Sequence, residues 1–113
     1  MKHIRTYETI INRQITDPPD VGDYVICNDM SISSNKPLKD FLDNNIGKIT
    51  IIRNEKDYPY YIHYDNVPDE FSVNFIQISD NKNVRDMSRN EITYWSKNKK
   101  ELETIILRNK FNL

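Results

Sequence analysis

Three side chains are of the types that nucleophilic catalysis uses: Cys27, His63 and Asp65. A thiolate becomes a nucleophile when a base within hydrogen-bond reach takes its proton and a third group orients that base. The local context argues against such a role. Cys27 ends the apolar run Tyr24-Val25-Ile26-Cys27, where a cysteine serves as a small core hydrophobe. The histidines, His3 and His63, are far apart and have no second cysteine to help them, so no metal-ligand spacing is present. Asp65, Asp69 and Glu70 lack the spacing and the glycine of a calcium loop. Gly22 and Gly47 stand alone, which excludes a glycine-rich phosphate cradle. The expectation is a non-enzymatic protein without cofactor or metal.

A second constellation concerns binding. Lys48, Arg53, Lys56, Tyr58, Tyr60, Tyr61 and His63 cluster on a hairpin and its charged loop, residues 54–59. Arginine and lysine meet phosphates while tyrosine rings stack on bases, which is how small barrels hold single strands. Exposed tyrosine and arginine also anchor protein interfaces. Glu55 and Asp57 interrupt the basic residues, which ranks a protein partner above nucleic acid. The alternative of ordinary packing assigns Tyr60 and Tyr64 to the core and sets Tyr58 beside Pro59.

The elements that must position this ribbon follow from periodicity. Residues 45–65 read as two strands, GKITIIR and YYIHYD, around the charged loop. Ile49 and Ile51 alternate with Lys48 and Thr50 to give one buried and one wet face, and Ile52 breaks the rule. Tyr60, Ile62 and Tyr64 share one face, Tyr61 and His63 the other. A first strand is expected at 24–27, entered through Val21-Gly22-Asp23. Leu38, Phe41 and Leu42 after Pro37 fit a short inserted helix ended by Asn44-Asn45. A fourth strand is expected at 73–78, with a bulge where the apolar parity switches between Phe75 and Ile76. Residues 80–88 read as a polar connection and 92–95 as a fifth strand. A helix over 98–111 follows, with Asn98 and Glu101 at capping-box spacing and Leu102, Ile105 and Ile106 as its apolar stripe. Trp95 is expected to lock that helix onto the sheet. Lys97, Lys99 and Lys100 cluster at its start.

The chain has 113 residues, enough for one domain with one core, at 37% hydrophobic and 29% charged content. Its formal net charge of −1 supplies no global field toward nucleic acid or an anionic membrane. No apolar run approaches a membrane span or a secretory signal. A lone cysteine suits a reducing compartment, so cytoplasm is expected. The absence of alanine and the wealth of isoleucine, asparagine and lysine follow AT-rich codons. The division expected is an amphipathic segment and proline-bearing linker at 1–20, a β domain at 21–96 and a packed helix at 97–113.

The pattern GDYVIC, IGKITII, YYIHYD and NFIQIS resembles the SH3-like barrels, the broad group that includes KOW and Tudor modules, over roughly residues 21–95. With the terminal helix after Glu91–Ser96 it also resembles small uncharacterised bacteriophage proteins. The resemblance implies a mostly β (α+β) fold, a five-stranded SH3-like barrel with a short inserted helix and a C-terminal helix. The peptide-binding SH3 hallmark ALYDY is absent. Lys2, Tyr7, Glu8 and Ile10-Ile11 resemble the short leaders of T-even-type phage internal head proteins. Together these imply a phage-type protein acting by protein–protein contact. It would inhibit a host factor such as a defence complex in the host cytoplasm, or serve as a virion or assembly component. A nucleic-acid-binding barrel using residues 53–61 is the alternative. Neither oligomeric state nor partner is readable.

Overall fold

A computed structural model describes residues 17–29, 32, 34–78 and 81–111. The amphipathic segment and leader-like residues expected at 1–13 lie outside these.

Six antiparallel strands form one sheet, in the order β4-β5-β3-β2-β1-β6. They are β1 (Tyr24–Cys27), β2 (Gly47–Ile52), β3 (Tyr60–His63), β4 (Ile76–Ile78), β5 (Asn81–Met87) and β6 (Ile92–Ser96). Helix α1 (Lys36–Asn44) is inserted between β1 and β2, and helix α2 (Lys99–Phe111) follows β6. The fold is α+β and mostly β. The sheet does not close into a barrel: among the described residues, β4 and β6 are its two edges.

Alternation along β1 builds the layers. Val25 and Cys27 enter the main core with Leu38, Leu42, Ile49, Ile62, Tyr64, Phe71, Met87 and Trp95. Ile26, together with the half-buried Tyr24, packs on the other face against Leu102 and Ile105 of α2. Side chains on successive strand residues point to opposite faces, so one short strand serves both clusters. The main core is roofed by α1, where Asn35 Oδ1 caps the helix by accepting from Leu38 N at 3.3 Å. The amides of Asn44 and Asn45 donate to the carbonyls of Asp40 and Phe41 and close its C-terminal end. Phe41 sits among the rings of Tyr64, Phe71 and Phe75 at centroid distances of 5.8–6.2 Å. Gly47 is required by close approach. A Cβ there would lie 2.4 Å from Ile62 Cγ2 and 2.9 Å from Tyr64 Cζ.

Four expectations are corrected. The stretch 80–88 is not a connection, because β5 runs through it, paired to both β3 and β4. Its composition hides it: Arg85 occupies a core-side position, made tolerable by an ion pair to Asp29. Of the fourth strand expected at 73–78, only Ile76–Ile78 is strand, and its first two residues end a 3₁₀ helix (Asp69–Asn74) that starts after Pro68. Phe71 is buried and Val73 is 90% exposed. The register shift falls between Ile76 and Ile78 rather than after Phe75.

The third correction is in β2. A register shift between Ile49 and Ile51 places Ile51 opposite Tyr61 and Ile52 opposite Tyr60. Ile49 and Ile52 therefore share the core side, and Ile51 takes the outer face with Tyr61. The fourth concerns Trp95. A bulge in the β1–β6 ladder offsets Cys27↔Ile92 from Ile26↔Tyr94. It turns Trp95 into the main core, so Tyr94 and not the tryptophan meets α2. Within the proline-bearing stretch 17–20, Asp17 O accepts from Trp95 Nε1 at 3.1 Å, and Pro19 is buried.

Candidate functional site

The β2–β3 hairpin divides the expected binding residues between two places. Cross-strand pairing sets Tyr24 beside Lys48 and Lys48 beside His63. One row of the outer face therefore reads Tyr24, Lys48, His63. The next row is Ile51, Tyr61 and Asp86, read from the β2–β3 and β3–β5 registers. Arg53 follows β2, and its N donates to Pro59 O at 2.8 Å, which closes the loop. Lys48, Arg53, Tyr61 and His63 thus share one surface.

Each basic side chain on that surface is already engaged. Lys48 Nζ lies 5.5 Å from the Tyr24 ring centroid, and Arg53 Cζ lies 5.5 Å from that of Tyr61. His63 Nε2 lies 3.0 Å from Asp65 Oδ1. Asp86 adds a second carboxylate to the face. The result is a mixed aromatic and charged surface rather than a basic stripe.

The remaining predicted residues lie elsewhere. Tyr60 turns inward and packs on the main core with Ile52. Lys56 is exposed in the loop, where its N donates to Arg53 O at 3.1 Å. Tyr58, half exposed, overhangs a small cleft of about 140 Å³ lined with Asp29, Arg85, Asp86 and Glu91.

Sequence reasoning missed that cleft. Arg85 pairs with Asp29, whose side chain is 4% exposed, and its Nη1 donates to Asn74 O at 2.6 Å. Its guanidinium lies 5.7 Å from the Phe75 centroid. Burial, then the Asp29 carboxylate beside it, pushes the Glu91 carboxyl above the usual range. Glu91 also caps the 3₁₀ turn Arg89–Glu91 by accepting from Ser88 N at 2.9 Å. Only the Ser88/Glu91 spacing was a readable signal; nothing near Asp29 marks its partner 56 positions away.

The nucleophile reading finds no geometry. Cys27 lies in the main core and His63 on the outer face. Burial pushes the thiol up to about 12, and the fully buried Tyr64 beside it is raised for the same reason. Among the described residues, no three histidine, cysteine or acidic side chains gather as a metal site, and no helix is long and apolar enough to cross a membrane. No protein-family model matches the sequence, and comparison with curated proteins and with solved structures gives no match.

Proposed function

We propose that this is a non-enzymatic binding protein that works by protein–protein contact through the outer face of β2 and β3. The observation that carries the reading is the pairing of Lys48 with Tyr24, Arg53 with Tyr61 and His63 with Asp65. Stacked arginine and tyrosine with interspersed carboxylates match the composition of protein interfaces. A phosphate-tracking groove needs an uninterrupted run of available cations, and this face has acids within it.

The finer fold reading is an SH3-like barrel elaborated by one hairpin strand. Support comes from the strand order: with β4 set aside, the remaining five run β5-β3-β2-β1-β6, a meander whose last strand returns to pair with the first. A 3₁₀ turn leads into that last strand. In this reading the protein is phage-type and occludes a surface of a host factor, such as a defence complex in the host cytoplasm, or takes a place in the virion or its assembly. A nucleic-acid role for residues 53–61 is the second reading, favoured by the Arg53–Tyr61 stack alone.

The test is affinity capture from a lysate of the natural host, with and without nuclease, using the wild-type chain and Tyr61→Ala. A stoichiometric protein that survives nuclease and is lost with Tyr61→Ala supports the interface. Loss of every partner on nuclease treatment overturns it. Salt dependence separates the two readings further, because phosphate contacts weaken steeply with ionic strength.

A further inference from the structure

The solvent face of α2 carries two large apolar side chains that the described residues leave exposed. Leu107 is 52% exposed and Phe111 59% exposed. With Glu103 they occupy positions i, i+4 and i+8 on one stripe of the helix. Beside this stripe, between α2 and the end of α1, runs a groove of about 430 Å³. Ile46, Ile106 and Leu107 give it an apolar floor, and Asp65, Lys99 and Glu103 are on its rim.

We infer that a second copy of this chain occupies the groove, with the two α2 helices antiparallel about a two-fold axis at Leu107. The geometry follows from the spacing. Such an axis sets Leu107 against its own symmetry mate and carries the partner's Phe111 to the level of Glu103, where the groove is open. A two-fold contact must be self-complementary, and the charges satisfy that condition. Lys110 Nζ stays 5.7 Å from the Phe111 ring centroid. The partner's Lys110 therefore arrives with the ring at a rim that carries the carboxylates of Glu103 and Asp65. The same contact repeats on the other side of the axis. This surface meets the β2–β3 outer face only at Asp65, the partner of His63, and the inference does not rest on the binding function proposed for that face.

The size of the contact fixes its strength. Facing helices pack roughly 8–10 Å apart. Two Leu107 and two Phe111 side chains cover much less than the roughly 800 Å² per partner of a standard interface. The dimer is therefore weak, with dissociation in the micromolar to millimolar range.

Sedimentation equilibrium of the full chain across that concentration range is the test. The expected result is a concentration-dependent dimer that Leu107→Asp and Phe111→Glu abolish, with circular dichroism unchanged because both residues are exposed. Glu103→Lys is expected to weaken association roughly tenfold, because the axis counts each charge pair twice. Lys110→Glu does the same, and the double exchange restores much of the loss. A chain that stays monomeric at millimolar concentration overturns the inference. So does a dimer indifferent to Leu107→Asp, or one in which the double exchange is no better than the single ones.

Discussion

The Arg85–Asp29 pair offers the sharpest test of how this fold is held together. It ties β5 to the segment after β1, and the two side chains are 13% and 4% exposed. Removing one partner of a buried pair leaves the other charge without compensation, at a cost of about 3–5 kcal/mol. Arg85→Met also deletes the hydrogen bond to Asn74 O, worth about 1 kcal/mol. It deletes the contact with the Phe75 ring as well, worth about 0.5–1 kcal/mol. Some of this returns as methionine packing, so we expect a loss of about 4 kcal/mol for Arg85→Met. Asp29→Asn keeps an acceptor for the guanidinium and should lose about 3 kcal/mol. The double variant buries no lone charge and should fall short of the sum by about 2 kcal/mol or more. Urea unfolding read by the fluorescence of the single, buried Trp95 gives all three values. A loss under about 1 kcal/mol for Arg85→Met, or strict additivity in the double variant, would refute the reasoning.

Other outcomes follow from features already described. Gly47→Ala places a methyl against Ile62 Cγ2 and the Tyr64 ring, and we expect a loss of about 2–3 kcal/mol by urea titration. Ile62→Leu, which removes Cγ2, should recover part of that loss. Alkylation of Cys27 in the native protein should wait on opening of the core, since the thiol is buried and pushed up to about 12. Iodoacetamide labelling at pH 8 is expected to slow in proportion to stability; rapid labelling would contradict the burial. Because the folded thiol titrates higher than its ordinary 9.0, its contribution is intact below pH 9 and is lost as pH rises toward about 12. Glu91 has the same sign at lower pH: its raised carboxyl favours the folded state in acid, and that gain disappears as pH rises through the folded value. Glu91→Gln preserves the capping acceptor for Ser88 N and should flatten this dependence in thermal melts across pH 4–8.

Much of this architecture is legible in the sequence where periodicity is strong. Tyr60, Ile62 and Tyr64 face the core as alternation requires, and Leu38 and Leu42 bury the inserted helix. Leu102 and Ile105 do the same for α2. Alternation fails where the ladder skips a residue: the bulge in β2 moves Ile51 outward, and the one facing β1 exchanges Tyr94 and Trp95. Bulges have no marker in side-chain composition here, since isoleucine suits either face. Strand β5 was hidden for a different reason. Its core-side arginine is neutralised by an aspartate distant in sequence, and no local pattern encodes such a pair. Of the candidate site residues, Lys48, Arg53, Tyr61 and His63 share one surface. Lys56, Tyr58 and Tyr60 lie elsewhere, because strand parity and the loop's exit send them to other surroundings.

The position of β1 has a consequence for synthesis. It is the first described strand to leave the ribosome, and it lies between β2 and β6 with a core on each side. Tyr24 pairs with Ser96, so the ladder that completes β1 spans nearly the whole described chain. Contacts between residues so distant in sequence form slowly, because loop closure precedes their reward. Until residue 96 has emerged, the nascent chain exposes Val25, Ile26 and Cys27 along an unpaired edge, the kind of surface that chaperones hold. Helix α2, made after β6, covers the remaining face of that strand.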